Sequence, residues 1–261
     1  MLNFVLTALL TLAPAAQEPQ VAPPEPALVK SAVTEITLAF TKGKSPERIE
    51  AITKFAKVVD ASVIKCIVKG LSDSDAKVQG AAIDALRYMQ HPDALTALQD
   101  ALKRDKTEKK FEKDVDLCTK LIKGIGQHGS KDSIKLLADN ALGGSEFKVF
   151  EARILSLGNI RAKESVEELL ALMRTMGREK MQPYMATFRM SLMVLTGADQ
   201  GVSQDTWMTW WNEHKGDFKV AASAPPLPKD MQLRWDYFWG NEIVRERSKK
   251  RGDRGDDPEG K

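Results

Sequence analysis

The chain has 261 residues, 43% hydrophobic and 29% charged, enough for one domain of ordinary size with a continuous core. Its 39 basic and 36 acidic residues leave a net charge of only +3, which lacks the strong basic bias of a nucleic-acid module. Aromatic residues make up 7%, and the frequent Ala, Leu and Lys favour helix.

Residues 1–15 read as a signal peptide. An uncharged apolar run from Met1 to Leu12 is followed by Ala13-Pro14-Ala15, the small-residue pattern accepted at a cleavage site. No Lys or Arg precedes the run, and it is shorter than the ~20 apolar residues that span a bilayer. The expectation is a periplasmic or secreted protein with no transmembrane segment after signal removal. Residues 16–29, containing Pro19, Pro23, Pro24 and Pro26, read as an extended linker.

Helical periodicity then takes over, and residues 30–200 are predicted to form an array of helix pairs. Val78, Ala81, Ala82, Ala85, Leu86 and Met89 fall on one helix face. His91-Pro92-Asp93 breaks that helix, and Pro92 suits the first position of the next, whose face carries Leu95, Leu98, Ala101 and Leu102. The hairpin repeats. Ile52, Ile64, Ile67 and Leu71 return as Ile83, Leu95, Leu98 and Leu102; Ile134 and Leu137 follow, then Val166 and Leu169. A charged insert around Lys103 to Lys113 lengthens the middle step. Four helix pairs at a near-constant period imply an all-α solenoid, each unit burying its face against its neighbours. Cys66 and Cys118 are separated by a whole pair, so two small buried thiols are expected rather than a disulfide.

The stretch from Asp75 through Val78, Ala82 and Leu86 resembles the first helix of a HEAT repeat. Leu155-Ser-Leu-Gly-Asn-Ile160, with Glu164 to Leu170, resembles the HEAT-like variant also found in bilin-lyase relatives. Leu195-Thr196-Gly197 followed by Trp207-x-x-Trp210-Trp211 is similar to a closing unit of exported bacterial HEAT-repeat proteins. The resemblance implies a stack of antiparallel helix pairs and a scaffold role, and no particular chemistry.

Residues 201–244 are expected to close the solenoid as a Trp-rich C-terminal cap, because a solenoid must cover its last apolar face. All five tryptophans, Trp207, Trp210, Trp211, Trp235 and Trp239, lie there, and Met231 to Val244 is expected to fold back on the cap. Residues 245–261 read as a charged, disordered tail.

Motifs for chemistry are weak. Gly124-Ile-Gly126-Gln-His-Gly129 matches a dinucleotide fingerprint literally, but a helix precedes it where a strand is needed; its glycines are expected to end that helix. Gly43-Lys44-Ser45 lacks the upstream glycine of a phosphate loop, since position 38 is Leu38; Ser45-Pro46-Glu47 reads instead as an N-cap and first turn. His91 and His128 fall in equivalent turns, without metal-ligand spacing, and read as solvated turn residues. Met173, Met176, Met181, Met185, Met190 and Met193 read as core filler ahead of the cap. No catalytic, metal or cofactor site is assigned.

The functional expectation is a non-enzymatic protein-interaction scaffold with an unidentified protein partner. Binding would use the second helix of each pair, where Lys65, Lys69, Gln99, Lys103, Lys135, Asp139, Glu167 and Glu168 occupy outward positions. The alternative is an envelope polysaccharide binder that stacks sugars on Trp207, Trp210, Trp211, Trp235 and Trp239. A lyase-type enzyme is a remote third.

Overall fold

The computed structural model describes residues 23–108, 113–139 and 146–240. The expected signal peptide and tail, most of the expected linker and part of the charged insert lie outside these residues. The described elements are helices, with no strand among them. Five pairs follow one another. The first helices are α2 (Ser45–Phe55), α4 (Ala76–Tyr88), α6 (Val115–Gln127), α8 (Phe147–Asn159) and α11 (Met185–Thr196). Their partners are α3 (Ala61–Val68), α5 (Pro92–Glu108), α7 (Ile134–Ala138), α9 (Lys163–Thr175) and α12 (Gln204–His214). An initial helix, α1 (Pro26–Lys42), packs on both α2 and α3 and covers the open end of the stack. The short α10 (Arg178–Met181) joins α9 to α11, and α13 (Lys229–Trp239) ends the described chain.

Helix starts follow local chemistry. Asp60, Asp75 and Asp114 cap α3, α4 and α6 by accepting from backbone N–H groups at Ser62, Lys77 and Leu117. The Asp93 N–H donates to His91 Nδ1 at 3.1 Å, so this turn histidine itself caps α5. Two boundaries differ from the sequence reading. Helix α1 starts at Pro26, inside the expected linker, because proline's fixed φ suits a first helical turn. Ser45 does not cap α2; the helix starts at Ser45, and its hydroxyl instead bonds Asp75 in the next unit.

The first helices stack in series, α2 on α4, α4 on α6, α6 on α8 and α8 on α11. The repeat register holds: Ile52, Ile64, Ile67, Leu71, Ile83, Leu98, Leu102, Ile134, Leu137, Val166 and Leu169 are all buried, with Leu95 half-buried. The six methionines from Met173 to Met193 are buried with them. Cys66 and Cys118 are free thiols in the core.

The glycines of the G-x-G-x-x-G run require a correction. Gly124 and Gly126 lie within α6, and only Gly129, at φ +65°, forms the turn. A Cβ on Gly126 would stand 2.5 Å from the Ser156 side chain of α8. One unit later, a Cβ on Gly158 would stand 2.6 Å from Ser191 of α11. Each serine donates across the contact, Ser156 to the Ile122 carbonyl at 3.2 Å and Ser191 to the Ile154 carbonyl at 3.1 Å. These glycines permit close helix approach, a demand invisible in a loop motif. Gly80 of α4 differs, since the nearest atoms to an added Cβ lie at 3.7 Å.

His128 is half-buried, not solvated. Its Nε2 bonds the Leu86 carbonyl at 3.1 Å, and burial lowers its pKa against the weaker opposing effect of that bond. The unfolded chain therefore binds this proton more readily than the folded one.

Two stability predictions follow from these contacts. Gly126→Ala is expected to lower stability by about 1–3 kcal/mol through overpacking, whereas Gly80→Ala raises it by about 0.5–1 kcal/mol by removing a helix-interior glycine; urea unfolding of both variants checks the opposite signs. The His128 contribution is present in full above about pH 6.5 and declines as pH falls below that value. Melting temperature against pH should show this loss in the native chain and a shallower one in His128→Asn.

Candidate protein-binding face

The second helices form one face of the stack. On it Lys65, Lys69, Lys103, Lys135, Asp139 and Glu167 are exposed, and Gln99 and Glu168 are half-buried. The structure divides these residues into two neighbourhoods. Lys65 lines a groove of about 530 Å³ between α3 and α5. Ile64, Val68 and Ala97 give the groove an apolar floor, with Asp93, Asp100 and Arg104 as its charged lining. Lys103 reaches Asp100 at 3.2 Å, at the groove's edge, while Lys69 continues beyond α3 in a 3-10 turn.

The other neighbourhood lies on α7 and α9. Lys135 Nζ meets Glu168 Oε1 at 2.9 Å, and that bond holds the ammonium pKa above its ordinary value. Glu167 adds to the same field from the next position. The Gln99 amide donates to Ser133 Oγ at 2.9 Å, tying α5 to the turn before α7. Gln99 therefore serves the packing between units.

Asp93 and Asp100 were missed by the sequence reading, and Arg104 stood there only as part of the charged insert. Their signal was present, since positions 93, 96, 97, 100 and 104 form one helical stripe beside the buried Ala94, Leu98 and Ala101. Outward positions within one unit do not by themselves show which of them border a neighbouring helix.

The aromatic set also divides. Trp207 is fully buried at the end of the stack, with its Nε1 donating to the Gly201 carbonyl at 2.9 Å. Trp211 is buried against Phe218, and half-buried Trp210 stacks on His214 at 4.6 Å. Loop 197–203 over this cluster is fixed by Arg189, whose Nε donates to Asp199 Oδ1 at 2.7 Å. Trp235 and Trp239 are elsewhere, on α13, and both are half-buried. Trp207 and Trp211 are thus buried, and the half-buried Trp210 lies apart from the half-buried Trp235 and Trp239.

Helix α13 does not fold back on the cap as expected. Arg161 holds the chain that precedes it by donating to the Ala221 and Ser223 carbonyls. The helix then crosses the first helices: Arg234 pairs with Glu151 of α8 at 3.7 Å, and Lys123 of α6 sits over Phe238 at 4.9 Å. Arg87 of α4 donates to the Trp239 carbonyl at 2.7 Å. The first-helix face is thus partly covered, while the α3–α5 groove opens on the other.

A family model described as HEAT repeats matches residues 36–110, from within α1 to beyond α5. This stretch is similar to HEAT repeats. The candidate groove belongs to it, lying between the second helices of its two pairs. A solved engineered protein, a structural-genomics target, is similar at 17% identity, covering 83% of this chain and 97% of that chain with a TM-score of 0.42. No curated protein matches the sequence. Among the described residues no group of three or more His, Cys, Asp or Glu side chains could hold a metal ion. No described helix is long and apolar enough to cross a membrane.

Trp207→Ala is expected to lower stability by about 3–5 kcal/mol, because it empties a buried aromatic site. Trp235→Ala, on the half-buried helix, should cost much less, and thermal melting of the two variants makes the comparison.

Proposed function

We propose that this chain is a non-enzymatic protein-interaction scaffold, exported to the cell envelope or beyond, that binds its partner on the second-helix face. The observation that carries this reading is the α3–α5 groove, which lies within the HEAT-matching residues and combines an apolar floor with charges of both signs. An extended or helical partner segment could place apolar side chains over Ile64, Val68 and Ala97. Its own charges would then meet Lys65, Asp93, Asp100 and Arg104. Such a site suits recognition by shape and charge pattern, which sets specificity and association rate more than raw affinity. Export rests on the apolar run and small-residue pattern of residues 1–15.

Affinity capture of the mature chain from crosslinked envelope fractions, followed by mass spectrometry, tests the proposal. One protein should be recovered in near-stoichiometric amount and lost on charge reversal at Lys65, Lys69 and Lys103. Ala97→Trp, which fills the groove without changing charge, should abolish the same capture. Recovery of the protein unchanged from both variants would move the binding site off this face.

A further inference from the structure

Helix α13 brings the chain to a particular place on the first-helix face. Its Arg234 meets Glu151 of α8, its Phe238 lies under Lys123 of α6, and its Trp239 carbonyl accepts from Arg87 of α4. The next first helix in that direction is α2, which packs on α4. Gly240 caps α13 in the left-handed region at φ +82°, donating its N–H to the Asp236 carbonyl at 2.9 Å. A cap of this kind ends the helix there, beside Arg87.

A groove starts one helical turn from that end point. Described residues of α2, α4 and α6 enclose about 650 Å³ over a floor of Ile49, Gly80, Ala81 and Leu117. A Cβ on Gly80 would find no neighbour nearer than 3.7 Å, so α4 leaves depth at this point. Asp84 and Lys120, which pair with each other in the groove, stand one turn from Arg87 and Lys123. Asp84, Asp114 and Asp116 outnumber Lys77 and Lys120 along the lining, so its charge is negative on balance.

The sequence after Gly240 complements the groove in both respects. Ile243 and Val244 are the only aliphatic side chains between residues 241 and 257. Neighbouring side chains of an extended segment point to opposite sides, which suits apolar walls on α2 and α6. Residues 245–251 then bring Arg245, Arg247, Lys249, Lys250 and Arg251 against the single acid Glu246. The reach also agrees. Four extended residues carry Val244 up to ~14 Å from Gly240, and Ala81 lies ~9 Å back along α4 from Arg87.

We propose that residues 241–247 of this chain occupy the α2–α4–α6 groove. Ile243 and Val244 sit between Ile49 and Leu117, and Arg245 and Arg247 face Asp114 and Asp116. Helix α13 and its continuation then form one strap across α8, α6, α4 and α2, four of the five first helices. A tethered segment is present at an effective concentration on the order of millimolar, so an intrinsic Kd of ~0.1 mM seats it about ten times as often as it is released. The α3–α5 groove lies on the other face and takes no part.

Two measurements on the full chain test this. In the Ala81→Cys/Val244→Cys chain, mild oxidation should join the two introduced thiols within one molecule, as read by non-reducing electrophoresis and peptide mapping. In the Ala81→Cys chain, iodoacetamide should alkylate the groove thiol slowly. Ile243→Asp/Val244→Asp should raise that rate about tenfold, the factor set by the tethered occupancy, and Arg245→Glu/Arg247→Glu should raise it several-fold. Thr96→Cys, on the second-helix face, should react at one rate in every background, which shows that the fold is kept. Ile243→Gly/Val244→Gly replaces the aspartate pair if Thr96→Cys reports a disturbed fold. A disulfide that forms only between two molecules, no disulfide, or an Ala81→Cys rate indifferent to residues 243 and 244 overturns the proposal.

Discussion

The close approach of successive first helices sets the geometry of the C-terminal half of the stack. Gly126 admits Ser156, and Gly158 admits Ser191, each at a distance where a Cβ could not stand. The missing Cβ also uncovers a helix carbonyl four residues earlier, which the facing serine hydroxyl reaches. Asn159 adds a third bond, from its amide to the Gly126 carbonyl at 3.0 Å. Helix α8 takes part in both contacts, and its residues from Ala152 to Gly158 are all buried. The spacing of the units, and so the path that α13 crosses, depends on these small residues.

Buried polar groups serve the same architecture. Arg153 is buried beside the end of α7 and donates to the Leu137 carbonyl at 2.9 Å, meeting an acceptor the helix leaves open. Burial lowers its pKa, while the Asp139 and Asp105 carboxylates act in the opposite direction. Arg161 acts similarly at α11, binding the Val194 carbonyl and the 221–223 segment together. One arginine ties two units of the array, and the other ties the array to the chain that leads to α13. The two faces consequently differ: the first-helix face carries an intramolecular strap, and the second-helix face presents its groove to solvent.

Period and burial were legible in the sequence because they follow from one-dimensional spacing. The residues from Ile52 to Leu169 that define the repeat are buried apart from the half-buried Leu95, and the His91-Pro92 break falls where α5 begins. The burial of Trp207 and Trp211 in α12 was legible as well, since residues at i and i+4 share a helix face. Gly126 and Ser45 were misplaced for a common reason. A glycine or serine has several local uses, and a partner thirty residues away decides among them.

The sequence by itself determined that this chain is helical and that its helices come in repeating pairs. Those properties depend on side-chain periodicity and on the cost of exposing apolar surface, both of which act along the chain. Only the tertiary structure decided that Lys65 shares a groove with Asp93, Asp100 and Arg104, and that Lys135 meets Glu168. It also decided that α13 crosses to Arg87, over a separation of 152 residues. Such pairings arise from how closely and at what offset helices pack, and small residues and single hydrogen bonds set that offset.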